Sequence, residues 1–140
     1  MQNESLQALV DEAAIRDLVR RYAHHVWRRD AAGAAALFAP DAVMETGDRA
    51  PLIGRAAILA EYTSAFTTSG FLPFIHNHVI DLQGDRATGT AYIDLRAHVD
   101  GRAMEGWGHY DDEYARTPEG WRFARRRLNL VHFAEVGATS

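Results

Sequence analysis

Two histidines two residues apart, His76 and His78, are the first residues whose type and spacing suggest chemistry. An imidazole titrates near pH ~6.5, so around neutrality it both accepts and returns a proton. Residues i and i+2 of a strand share a face. The two rings are therefore expected side by side, as a base and its orienter, as metal ligands, or as a hydrogen-bonded structural pair. A β-bulge would swap them with Asn77. Tyr22 and Tyr110 are candidate donors to a developing enolate oxygen, or core tyrosines with tied hydroxyls. Asp112 falls where a covered carboxylate is expected, and such a group needs a partner. Arg126 is that partner if a bulge shifts the last strand by one residue; otherwise Arg125 is.

The elements that position these residues follow from periodicity. Ile15, Leu18, Val19, Tyr22 and Val26 lie on one helical stripe. This predicts an amphipathic helix capped near Asp11, with a shorter helical piece over residues 4–10. Asp30 caps a second helix over 31–38, which Pro40 ends, and a brief strand follows at 43–46. A third helix covers 55–66. From Phe71 the period becomes two, and turn residues cut the rest into strands at 71–82, 86–99, 102–116 and 121–133. The fold class is α+β: N-terminal helices on a curved, mainly antiparallel sheet, in one domain over 1–140 with residues 1–10 and 136–140 peripheral.

Alternation assigns the faces. Ala87, Gly89, Ala91, Ile93, Leu95, Ala97 and Val99 form the covered set of their strand, so His98 points out. Without a bulge, Phe74, His76 and His78 face in. Tyr110 and Asp112 face in and His109 out. Gly89, Ala91, Gly106 and Gly108 are expected to leave a hollow above the sheet; a sharp bend is the other use of strand glycines. Trp27, Val26, Phe66, Phe74, Ile93 and Leu95 would line such a hollow for a hydrophobic ligand, with Asp112 and Arg126 at its polar end.

Composition excludes several classes. The chain has 140 residues, 47% of them hydrophobic, a formal charge of −4 and no cysteine. The charge argues against a polyanion partner such as nucleic acid. The missing cysteines exclude disulfides and thiolate chemistry. No apolar run is long enough to cross a membrane, and no signal peptide is evident, so a cytoplasmic protein is expected.

An ordered series of short segments carries a family likeness. It comprises Ile15-Arg16-Asp17-Leu18, Tyr22-Ala23, Arg29-Asp30, Leu37-Phe38-Ala39-Pro40-Asp41-Ala42, Gly54-Arg55-Ala56-Ala57-Ile58, Gly84-Asp85-Arg86-Ala87-Thr88 and Gly120-Trp121-Arg122-Phe123. The run resembles the SnoaL-like members of the NTF2-like superfamily. The resemblance implies a cone, a curved sheet wrapped around a deep pocket. It also implies a range of activities, from scytalone dehydratase, hexachlorocyclohexane dehydrochlorinase, polyketide cyclases and ketosteroid isomerase to non-catalytic dioxygenase small subunits. Dehydratase-like members pair an Asp near the end of the first helix with a His on the first long strand. Here the Asp position reads Trp27, within Trp27-Arg28-Arg29-Asp30, and the His position, four before Asn77, reads Pro73. The family's Tyr and Arg positions are kept as Tyr110 and Arg126.

The sequence thus points to a small-molecule enzyme, a dehydratase, isomerase or cyclase that moves a proton next to a carbonyl without a cofactor. His76 or His78 would be the base and Tyr22 or Tyr110 the oxyanion donor. The alternative is a non-catalytic binding or assembly module, with Tyr92, Trp107 and His109 in a subunit contact. Relatives are commonly dimers or trimers, so a homo-oligomer is expected.

Overall fold

In the computed structural model, which describes residues 2–137, the chain forms three helices and one six-stranded sheet. The helices are α1 (Gln2–Trp27), α2 (Ala31–Ala36) and α3 (Arg55–Thr68). The strands are β1 (Phe38–Glu45), β2 (Leu52–Ile53), β3 (Ser69–Gln83), β4 (Arg86–Val99), β5 (Arg102–Thr117) and β6 (Gly120–Glu135). Their spatial order is β2-β1-β6-β5-β4-β3. The meander β3 to β6 is antiparallel throughout, and the β1–β6 pair is parallel, so the sheet is mixed. It stays open: β2 and β3 are its two ends, and the helices cover one face. No described helix is long and apolar enough to cross a membrane.

The predicted stripe of α1 is buried, with Ile15, Leu18, Val19, Tyr22 and Val26 each no more than 6% exposed. The helix is continuous where two pieces were expected, because nothing before Asp11 breaks it. Asp11 is an interior helical residue, not a cap: its carboxylate is turned to the sheet and held by Arg116 and Trp121. Asp30 does cap α2, accepting from the Gly33 N–H at 2.9 Å. Pro40 does not end a helix; it lies inside β1, where the register with β6 slips between Phe38 and Val43 and a missing N–H is tolerated.

Three bulges set the faces of the sheet. One falls between Ile75 and His78 in β3, one adds Ala124 in β6 opposite Glu113/Tyr114, and one adds Val131 opposite Trp107/Gly108. The Ala124 bulge reverses the parity of β6, so that Trp121 and Phe123 face in before it and Arg126 faces in after it. The small strand residues do not produce the expected hollow at their own positions. A Cβ on Gly89 would lie 3.0 Å from the Tyr114 ring, and one on Gly106 would lie 2.9 Å from Phe133. One on Gly108 would strike the backbone of Asn129. The space is filled by rings and by the close approach of bulged backbone.

Candidate active site

The centre of the helix–sheet layer holds an ion pair. Arg126 and Asp112 are cross-strand partners on β6 and β5 and are 0% and 3% exposed. Arg126 Nε donates to Asp112 Oδ1 at 2.9 Å and an Nη donates to Oδ2 at 3.2 Å. The guanidinium also lies over three aromatic faces, 3.6 Å from the Tyr110 centroid, 4.3 Å from Phe123 and 4.4 Å from Tyr22. Burial raises the Asp112 carboxyl, while Arg126 and the Tyr114 hydroxyl pull it back. The expected Asp112–Arg126 pair therefore forms, and the Ala124 bulge is the device that brings Arg126 rather than Arg125 inward.

A hydrogen-bonded chain leads from this pair to the edge of the sheet. The Tyr114 hydroxyl donates to Asp112 Oδ2 at 2.8 Å, and His78 Nε2 stands 3.0 Å from the same hydroxyl. His78 sits on β3, half-buried, with its ring turned inward. Burial, together with the charges of Arg126 and Arg16, lowers its pKa to about 4, so the ring is neutral at pH 7. Tyr114 carried no signal in the sequence beyond alternation from Tyr110; its role appears only when Gly89 opens room for its ring.

The two histidines do not work together. The β3 bulge sends His76 to the outer face, where its Nε2 lies 2.7 Å from Asp94 Oδ2 and both side chains are about half exposed. Neither a shared metal nor a base–orienter pair is open to rings on opposite faces. Phe74 is likewise outside, 43% exposed and edge-on to Trp27. Among the other residues expected to line a hollow, Val26, Phe66, Ile93 and Leu95 are buried. The Tyr22 and Tyr110 hydroxyls are inside as expected, and Tyr22 makes a 2.6 Å hydrogen bond with Tyr62. Burial raises the pKa of all three tyrosines, which keeps them protonated donors.

Trp27 and Pro73 touch. The Trp27 indole N–H donates to the Pro73 carbonyl at 2.7 Å. The two positions at which the family resemblance would seat an Asp–His pair are therefore adjacent in space, but they hold a structural contact with no group able to take a proton.

Comparisons with known proteins agree with this architecture. A candidate aromatic ring hydroxylase from Novosphingobium aromaticivorans is 29% identical, with 91% of this chain and 94% of that one covered at a TM-score of 0.84. A candidate scytalone dehydratase from the same organism is 20% identical over 97% and 94%, with a TM-score of 0.85. A type 3 hexachlorocyclohexane dehydrochlorinase, LinA, from Novosphingobium barchaimii is 18% identical over 96% of each chain, with a TM-score of 0.87. Comparison with curated protein sequences gives no significant match. Residues 7–127 match the SnoaL-like domain, and with the helix-covered mixed sheet already described the chain belongs to that family, within the NTF2-like fold.

Proposed function

We propose that this protein is a cofactor-free lyase- or isomerase-type enzyme that moves a proton next to the carbonyl of a small hydrophobic, aromatic or polyketide-like molecule. The observation that carries this reading is the half-buried, neutral His78, oriented by the Tyr114 hydroxyl and reachable from the β3 edge. A ring with a pKa of about 4 is a weak base and a good acid. It suits substrates whose C–H is already acidified, such as benzylic or 1,3-dicarbonyl positions, and it returns the proton readily to a leaving hydroxyl or to the neighbouring carbon. Tyr22 or Tyr110 would support the enolate oxygen from the buried side, where fixed donors act in a dry setting. Two of the structural neighbours carry the names of elimination enzymes, a candidate scytalone dehydratase and a hexachlorocyclohexane dehydrochlorinase.

The test uses 2-tetralone, an aromatic ketone with an acidified benzylic CH₂, incubated in D₂O and followed by proton NMR. The wild-type protein should accelerate deuterium uptake over buffer, and His78→Ala should lose about 10²–10⁴-fold of that acceleration with the fold intact. Equal rates in the two proteins would remove His78 from the mechanism.

The second reading, an assembly module, is favoured by the outer face. There Tyr92 and Trp107 are 44% and 46% exposed, and Trp107 stacks on His132 with centroids 4.1 Å apart. It predicts a dimer or trimer that Trp107→Asp dissociates in a sedimentation experiment, together with no exchange activity.

A further inference from the structure

The hydrogen bonds of the central chain have only one consistent proton order. Arg126 is wholly buried and keeps its proton, and Asp112 is the carboxylate that faces it. A proton on Asp112 would leave a lone cation in the core, which is far costlier than keeping the pair charged. Asp112 is therefore an acceptor on both oxygens, and the single Tyr114 hydroxyl proton is spent on Oδ2. What remains for His78 at 3.0 Å is a lone pair of the Tyr114 oxygen, so the ring must carry its proton on Nε2.

We infer that Tyr114 is a positioning residue that locks His78 in the Nε2–H form and leaves Nδ1 as the proton-accepting atom. The inference deepens the proposed function and rests on it for its catalytic meaning; the tautomer itself is measurable without substrate. Nδ1 is bonded to the ring carbon nearest the backbone. The reacting C–H must therefore meet the side of the ring close to the strand rather than the tip that faces Tyr114. When Nδ1 takes a proton, the Nε2–H bond to Tyr114 persists, and the new charge is met through that hydroxyl by Asp112.

The experiment is a long-range ¹H–¹⁵N correlation spectrum of protein labelled at histidine nitrogen, recorded at pH 7 without ligand. Wild type should show one His78 ring form, with Nε2 protonated and Nδ1 bare, and an Nε2–H protected from exchange with water. Tyr114→Phe should give averaged ring-nitrogen shifts, as both tautomers populate, and a rapidly exchanging N–H. A wild-type spectrum with Nδ1 protonated overturns the inference even if the variant fails to fold, and so does a folded Tyr114→Phe spectrum unchanged from wild type. Absence of tetralone exchange with the predicted spectrum present would overturn the function and leave the tautomer lock standing.

Discussion

Two buried carboxylates, Asp11 and Asp112, each face an arginine, and their surroundings separate a clamp from a site. Asp11 ties three elements together: it accepts from Arg116 at 2.9 and 2.7 Å, from the Trp121 indole at 3.1 Å and from Gln7 at 3.0 Å. Arg116 reaches on to Asp85 at 2.7 Å and is partly in water. These bonds, Arg116 foremost, hold the Asp11 carboxyl down at about 2. Arg116 and Trp121 hold α1 against the β5–β6 hairpin through Asp11, and the network runs on to the exposed Asp85, with no imidazole or tyrosine in it. Asp112 has an arginine with no exposure at all, and its bonds run outward to the partly buried His78 imidazole. A polar network of an arginine, its carboxylates and amide or indole donors is architecture; one that passes through a tyrosine to an imidazole contains a group suited to proton exchange.

Arg126→Met breaks the central network most severely. It strands Asp112 in the core and should cost about 3–5 kcal/mol in urea unfolding, with the double variant Arg126→Met, Asp112→Asn recovering part of the loss. Asp11→Ala removes bonds to a partly solvated arginine and should cost less, about 2–3 kcal/mol, while leaving the His78 nitrogen spectrum unchanged. If the two losses proved equal, the contrast between the networks would fail.

The smallest effect concerns pH. The His78 imidazole takes a proton near pH ~6.5 in the unfolded chain but only at about 4 in the fold, so the unfolded state binds more protons between these values. Stability is complete above the upper value and declines as pH falls toward the lower one. Because the ring is partly in water, the loss from pH 7 to pH 5 should exceed that of His78→Gln by only about 1 kcal/mol. Urea midpoints of the two proteins at both pH values check this, and parallel declines would mean that the ring titrates normally.

Periodicity made the helices, the four-strand meander and most facing legible, because alternation and helical stripes report burial directly. It also brought Asp112 inward and narrowed its partner to two arginines. What it could not decide was the position of bulges, since one extra residue leaves composition and pattern almost untouched yet turns every later side chain over. That single ambiguity left open the facing of Phe74, His76 and His78 and the choice between Arg125 and Arg126. Tyr114 was missed for a related reason. Its importance comes from a cross-strand glycine that admits its ring, a relation between β4 and β5 that no local window contains. Asp11 looked like a cap because Asp is common there; its arginine and tryptophan partners lie more than 100 positions away.

The Trp27–Pro73 contact has a consequence for any attempt to rebuild the familiar dyad. Trp27→Asp alone would set an anion against a carbonyl oxygen, two acceptors with no hydrogen between them. Pro73→His alone would keep the main-chain carbonyl that the indole N–H reaches, so this bond would stand. The two changes are therefore not equivalent: an acid at position 27 breaks an existing bond, whereas a histidine at position 73 can be introduced first at no cost to it.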